Sequence, residues 1–157
     1  MTRTLDGPLA RPIRCDLRHR FDGLGLRLDT ASSELAPDWR DQCAFFASAH
    51  LFVRAVLEKN QVFVDVASRR EPGFWFDLAY LTAVLAPGSP RLLWEYSTIR
   101  APTVRSQLEL LLDHLEANFA RIDDALGPTS YATTIANYRR FAGDSTSRIL
   151  RGRTGSK

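Results

Sequence analysis

Histidine, cysteine and carboxylate side chains are the groups best able to hold a metal or move a proton, and in this chain they are scattered. His19, His50 and His114 share no ligand spacing: there is no His-x-His, no His-Glu-x-x-His and no close Cys–His pair. They read as boundary or surface residues. Cys15 and Cys43 are too few and too far apart for a zinc knuckle or a redox pair. Cys43, inside the apolar run Cys-Ala-Phe-Phe-Ala, reads as a buried, inert thiol. Asp113, Glu116, Asp123 and Asp124 suggest a metal or acid/base cluster, but on the polar face of an amphipathic helix solvated acids are expected. A di-iron helical site needs inward glutamates and a Glu-x-x-His pair, where this stripe carries leucine. Gly143-Asp-Ser145 echoes a serine-hydrolase tripeptide and Gly23-Leu-Gly25 half of a phosphate loop; neither has the strand and helix setting its chemistry requires. No catalytic residue, metal ligand or cofactor site is assigned, and the expectation is a protein that is not an enzyme.

Aromatic and charged residues carry the remaining functional signal. Phe52 and Phe63 fall together on one face of a β-hairpin, with Val56, and Trp75, Phe76 and Tyr80 crowd a short segment that is apolar almost all round. If helices cover only one side of the sheet, these aromatics form an exposed patch of the kind that marks partner sites. Glu109, Asp113, Glu116 and Asp123 would then steer a basic partner toward it. The arginines near the C-terminus, Arg139, Arg140, Arg148, Arg151 and Arg153, offer an alternative: contact with nucleic-acid phosphates.

The hairpin that positions Phe52 and Phe63 specifies its own register. Leu51–Glu58 and Gln61–Ser68 face each other across Lys59-Asn60, matching Leu57 with Val62, Ala55 with Val64 and Val53 with Val66 on one face. On the other face Arg54 meets Asp65 and Val56 meets Phe63. A one-residue slip breaks both the apolar stripe and the ion pair. Lys59-Asn60 is a mediocre two-residue turn, since the tight types prefer glycine at the second position.

Around it, residues 1–12 read as a flexible leader with little to pack. Residues 13–22 suit a short helix that aligns Ile13, Leu17 and Phe21, and Leu24–Leu28 a first strand. Residues 30–40 have turn and loop chemistry. Asp41–Ala49 begins an apolar run whose continuity with the next strand is left open. Phe74–Ala86 reads as a helix stopped by Pro87-Gly-Ser-Pro90, and Leu92–Thr98 as a fourth strand. The clearest helix spans about Val104 to Leu126, with Thr103 as its N-cap and Gly127-Pro128 as its stop. A last helix covers about Ser130–Ala142, and residues 144–157 read as a flexible basic tail. The predicted fold is α+β: an antiparallel sheet of about four strands around the 51–58/61–68 hairpin, packed by a short apolar helix and a long amphipathic helix, in one domain over 13–143.

Charge does not compel the nucleic-acid alternative. The pI is about 9.2, yet residues 1–20 carry five arginines against two acids and residues 137–157 six basic groups against one acid, while the stretch between them holds ten basic and fifteen acidic residues. A nucleic-acid binder concentrates charge on one face or helix. No apolar run reaches the roughly 20 residues that span a bilayer, and the first residues lack a secretory signal. A cytoplasmic protein without membrane contact is expected.

Phe21-Asp-Gly-Leu-Gly-Leu, Ser48-Ala-His-Leu-Phe-Val-Arg-Ala-Val, Trp75-Phe-Asp-Leu-Ala-Tyr-Leu and the helix Leu108–Leu126 follow one another in an order that resembles a diffuse group of small bacterial α+β proteins. Some members of that group look like immunity proteins, which neutralise toxins from neighbouring genes. The resemblance implies packing rather than a site, and carries over no catalytic residue. The expected function is a non-enzymatic protein-binding module, an immunity-type inhibitor that occludes a partner such as a basic toxin. The nucleic-acid reading and a small-molecule-binding domain stand as alternatives. The over-apolar Phe74–Ala86 segment suits a homodimer as well as a heterologous partner.

Overall fold

The computed structural model describes residues 7–34, 42–87 and 103–154, with side chains except those of Glu34 and residues 144–154. The expected strand Leu92–Thr98 lies outside the described residues. A five-residue π-helical turn, Pro12–Asp16, leads into helix α1 (Arg18–Gly23). Strands β1 (Arg27–Glu34), β2 (Gln42–Ala47), β3 (Leu51–Glu58), β4 (Gln61–Ser68) and β5 (Phe76–Asp77) follow, then helices α2 (Leu78–Leu85), α3 (Val104–Ala125) and α4 (Tyr131–Thr154). Among the described residues these five strands form one antiparallel meander in chain order, so the α+β class holds.

The hairpin has the expected bounds and register. Glu58 pairs with Gln61, Val56 with Phe63 and Arg54 with Asp65, and β2 continues the sheet with Ala44 opposite Ala55 and Phe46 opposite Val53. The apolar run from Ala44 to Glu58 is therefore two paired strands. Lys59 and Asn60 both take left-handed backbone conformations, with φ of 48° and 65°. That is the geometry of the primed two-residue turns that match strand twist. Asparagine tolerates it, whereas lysine pays roughly 1–2 kcal/mol, a cost the eight-residue register must offset.

Helices α1 and α3 pack on one face of the sheet, where Phe21, Leu108, Leu111, Leu112 and Leu115 surround Val53, Ala55 and Val64. Phe21 stacks flat on Phe46 with ring centroids 4.2 Å apart, and Ile13 and Leu17 are buried with it, which is the four-residue stripe read from the sequence. Thr103 caps α3: its hydroxyl accepts the Ser106 N–H at 3.0 Å while the Ser106 hydroxyl accepts the Thr103 N–H at 3.1 Å. This reciprocal pair satisfies two end groups of the helix.

Several expectations differ from the structure, among them the first strand, which begins at Arg27 and not at Leu24. Residues 7–12 do pack: Leu9 and Ala10 are fully buried, and the Gln42 carboxamide accepts the Leu9 N–H at 2.9 Å. The turn chemistry around Thr30–Ser33 forms a bulge inside β1, because the Asp29 carboxylate accepts the N–H groups of Ala31 and Ser32. Phe74–Ala86 is not one helix. Asp77 has extended backbone and accepts the Tyr80 N–H as N-cap, so α2 begins only at Leu78, and Phe76 sits in β5 opposite Val66. Finally, α4 continues through Gly143 to Thr154, since no proline interrupts that run.

Candidate functional site

Strand alternation turns a second set of side chains to the sheet face opposite α1 and α3, where among the described residues no helix is seen to pack as those two do. Phe45 on β2, Phe52, Arg54 and Val56 on β3, and Phe63 and Asp65 on β4 are all half-buried. Cys43 belongs here too, half-buried rather than enclosed, because it is one residue out of phase with the core positions Gln42 and Ala44.

A single row crosses four strands at the centre of this face: Phe45, Arg54, Asp65 and Asp77 are successive partners from β2 to β5. Arg54 Nε donates to Asp65 Oδ2 at 2.7 Å, and the guanidinium carbon lies 4.3 Å from the centre of the Trp75 ring. Trp75 in turn meets Phe45 edge-on, with centroids 6.0 Å apart. Above this row Arg69 places its guanidinium 5.3 Å over Phe52, anchored by a 2.8 Å bond to the Ser48 carbonyl. The result is an aromatic surface whose charges are stacked on rings, an arrangement worth about 0.5–2 kcal/mol per cation–ring contact.

Burial pushes the Asp65 carboxyl upward, against the pull of Arg54. Burial also raises Asp77, and the charge of Asp65 raises it further. Neither serves as a free acid or base. Asp65 is committed to Arg54, and Asp77 caps α2. Among the described residues no three metal-ligating side chains converge.

Phe52 and Phe63 lie on this face in the rows on either side of Arg54–Asp65, and Trp75 stacks on Arg54. The structure separates the other two aromatics from them. Phe76 is fully buried on the opposite face, edge-on to Phe74 at 4.8 Å and to Tyr138 at 4.9 Å, so it belongs to the core and not to a docking surface. Tyr80 is half-buried and packs against Phe141 between α2 and α4. The four helix acids are each engaged within the chain: Glu109 with Arg105 at 3.0 Å, Asp113 and Glu116 with Arg20, and Asp123 with His50 at 3.3 Å. Of the C-terminal arginines, Arg139 lies 5.1 Å over Phe74 and Arg140 is exposed. The side chains of Arg148, Arg151 and Arg153 lie outside the described residues.

Phe45, Trp75 as the partner of Arg54, and Arg69 escaped the reading of the sequence as one cluster. The alternation of Gln42–Ala47 carries the signal for Phe45: two adjacent phenylalanines in a strand must face opposite ways. Arg69 follows from the hairpin register, as the diagonal neighbour of Phe52 beyond Ala67; Trp75 depends on where the chain returns after the Pro72-Gly73 turn, which marks a reversal but not its destination.

Two clefts flank the sheet. A polar cleft of about 370 Å³ lies between the β2–β3 turn and the start of α4, with His50, Arg69, Arg70, Asp123 and Asp124 in its wall. A second of about 450 Å³ lies between α1 and β1, with Phe21, Leu26 and Phe46 buried in its wall and the exposed Arg14, Arg18, Asp22 and Arg27 around them. Among the described residues no helix is long and apolar enough to cross a membrane. No protein-family model, no curated protein and no solved structure matches the chain.

Proposed function

We propose that this chain is a non-enzymatic protein-binding module that acts by occlusion, in the manner of an immunity-type inhibitor, in the reducing cytoplasm. The observation that carries this reading is the half-buried apolar face of Phe45, Phe52, Val56 and Phe63, with Trp75 and Arg54 stacked at its centre. Large aromatic side chains dominate interface energetics because they bury much area with few torsions to fix, and arginine joins them through its planar guanidinium, which stacks on rings and donates several hydrogen bonds. The central row carries two acids against one arginine, which suits a partner surface that sets a basic group within an apolar patch. Ion pairing of the α3 acids within the chain reduces their long-range field, so docking energy falls mainly on the aromatic face.

The test compares tagged wild-type chain with the double variant Phe52→Thr/Phe63→Thr, captured from its native host with nuclease treatment and analysed by mass spectrometry. Threonine keeps strand propensity, and circular dichroism confirms folding. One stoichiometric protein retained by the wild type and lost by the folded variant is the expected result. Equal retention by both, or partners that vanish with nuclease, overturns the reading.

A further inference from the structure

Asp77 carries a negative charge that the described chain does not balance. It is the direct partner of Asp65 across β4 and β5, and like charges directly opposite on a sheet are destabilising. Asp65 has its own counter-charge in Arg54, whose Nε donates to it at 2.7 Å. Among the described residues no cation pairs with Asp77, and the charge that acts on it is that of Asp65. The N–H groups at the start of α2 favour a negative charge there, yet burial outweighs them and the carboxyl is held above its ordinary range.

Capping α2 does not by itself call for that charge. Asparagine caps a helix as well as aspartate does, and here it would do so without a half-buried charge lacking a partner. A residue that costs stability where a neutral one fits the structural task marks a functional position. The surroundings agree. Trp75 and Asp77 flank the inward Phe76, and Trp75 stacks on Arg54 and meets Phe45 edge-on. The Tyr138 hydroxyl accepts the Asp77 N–H at 2.8 Å and fixes the backbone from behind. The N–H groups of Tyr80 and Ala79 take two of the roughly four acceptor sites of a carboxylate, which leaves room for a further donor.

We infer that Asp77 is the specificity-determining residue of the aromatic face: it accepts a lysine or arginine side chain that the partner protein sets among apolar residues. That cation supplies the counter-charge missing from the row Phe45, Arg54, Asp65, Asp77. The rings of Phe45 and Trp75 help to keep water from the new ion pair, which strengthens it. A purely apolar partner would bury the Asp77 charge further with no counter-ion, so the same residue also rejects such surfaces. The inference rests on the protein-binding reading and adds to it the chemistry of the central contact.

A displayed library of random 12-residue peptides, selected on the full chain, is the direct test. Selected peptides are expected to share a lysine or arginine flanked by apolar residues and to shift the Asp77 amide and Trp75 indole resonances. Their affinity, read by fluorescence anisotropy, should fall at least tenfold in Asp77→Asn. It should fall at least tenfold again on the wild type when citrulline replaces the peptide's arginine, or norleucine its lysine. This second comparison needs no protein variant and holds even if the substitution disturbs folding. Peptides that are lost in Phe52→Thr/Phe63→Thr yet lack a basic residue, or that bind Asp77→Asn equally well, overturn the inference and leave the aromatic face standing as a docking surface. Peptides that never shift resonances of this face, or a selection that enriches none, overturn both readings.

Discussion

The Gln107 carboxamide stands where a neighbouring strand would pair with Val62. Its oxygen accepts the outward Val62 N–H at 2.8 Å, and both residues are fully buried. A helix residue thus ends the sheet on that side and ties α3 to the hairpin turn through Asn60. Replacing it by leucine preserves bulk but strands a buried donor. Gln107→Leu should lower stability by about 1–3 kcal/mol, the cost of an unsatisfied buried group. Urea unfolding measures the loss, and hydrogen exchange at the Val62 amide should accelerate selectively. An unchanged midpoint would show that water reaches the β4 edge.

Asp77 sits opposite Asp65, and both carboxyls are held above their ordinary range, chiefly by burial. A carboxyl whose pKa is raised in the folded state binds its proton more tightly there than in the unfolded chain. Its penalty is therefore present at neutral pH and disappears as pH falls through the raised folded value. Asn at this position keeps the cap on Tyr80 N–H while removing the charge. Asp77→Asn should raise Tm at pH 7 by about 2–4 °C, the equivalent of roughly 1 kcal/mol for a chain of this size. The gain should shrink as pH is lowered through the carboxylate range. A variant less stable than the parent at pH 7 would mean that Asp77 holds a favourable charge contact instead.

The buried start of the described chain gives a sharper steric test. A Cβ built on Gly7 would lie 1.7 Å from Gln42 Nε2, and the same carboxamide accepts the Leu9 N–H. Gly7→Ala must displace Gln42, which is itself only 1% exposed. Loss of that bond and of tight seating for Leu9 should cost about 1–3 kcal/mol. Limited proteolysis should then cut ahead of α1 in the variant and not in the wild type. Equal resistance in both chains would show that Leu9 is held without Gln42.

How much of this was legible follows from where each signal resides. The hairpin was readable because alternation, the Val-rich stripe and the Arg54–Asp65 pair all demand one register. The α3 stripe and its Thr103 cap were readable because both are local and periodic. Phe76 was misplaced because an aromatic run has no period that separates a two-residue strand from the first turn of a helix; only the Asp77 cap marks the switch. Gln42 and Gln107 were missed as structural residues, although each is a polar side chain at a core position of its own element, the one signal a sequence offers for a buried bridging amide. The stacking of Arg54 on Trp75 needs the register at which the chain returns after the Pro72-Gly73 turn, and a turn signal fixes the reversal without fixing that register.

Arg20 joins α1 to the polar side of α3. Its Nε and Nη2 each lie 2.8 Å from an oxygen of Glu116, and Nη2 also bonds Asp113. The pairing with Arg20 holds the Glu116 carboxyl below its usual range. A lowered folded pKa contributes stability above the unfolded value, and that contribution is lost as pH falls through the folded one. Arg20→Gln should therefore cost about 1–2 kcal/mol at pH 7, a figure kept small by the exposure of the acids, and less below pH 4. Thermal melts of both chains at the two pH values read the difference. The same substitution frees Asp113 and Glu116 from their internal cation and strengthens the negative field of α3. If that helix steers a basic partner, the variant should associate faster than wild type in low salt, with the advantage fading as salt is added. An unchanged association rate would assign recognition to the aromatic face alone, with the α3 acids serving only to hold α1 in place.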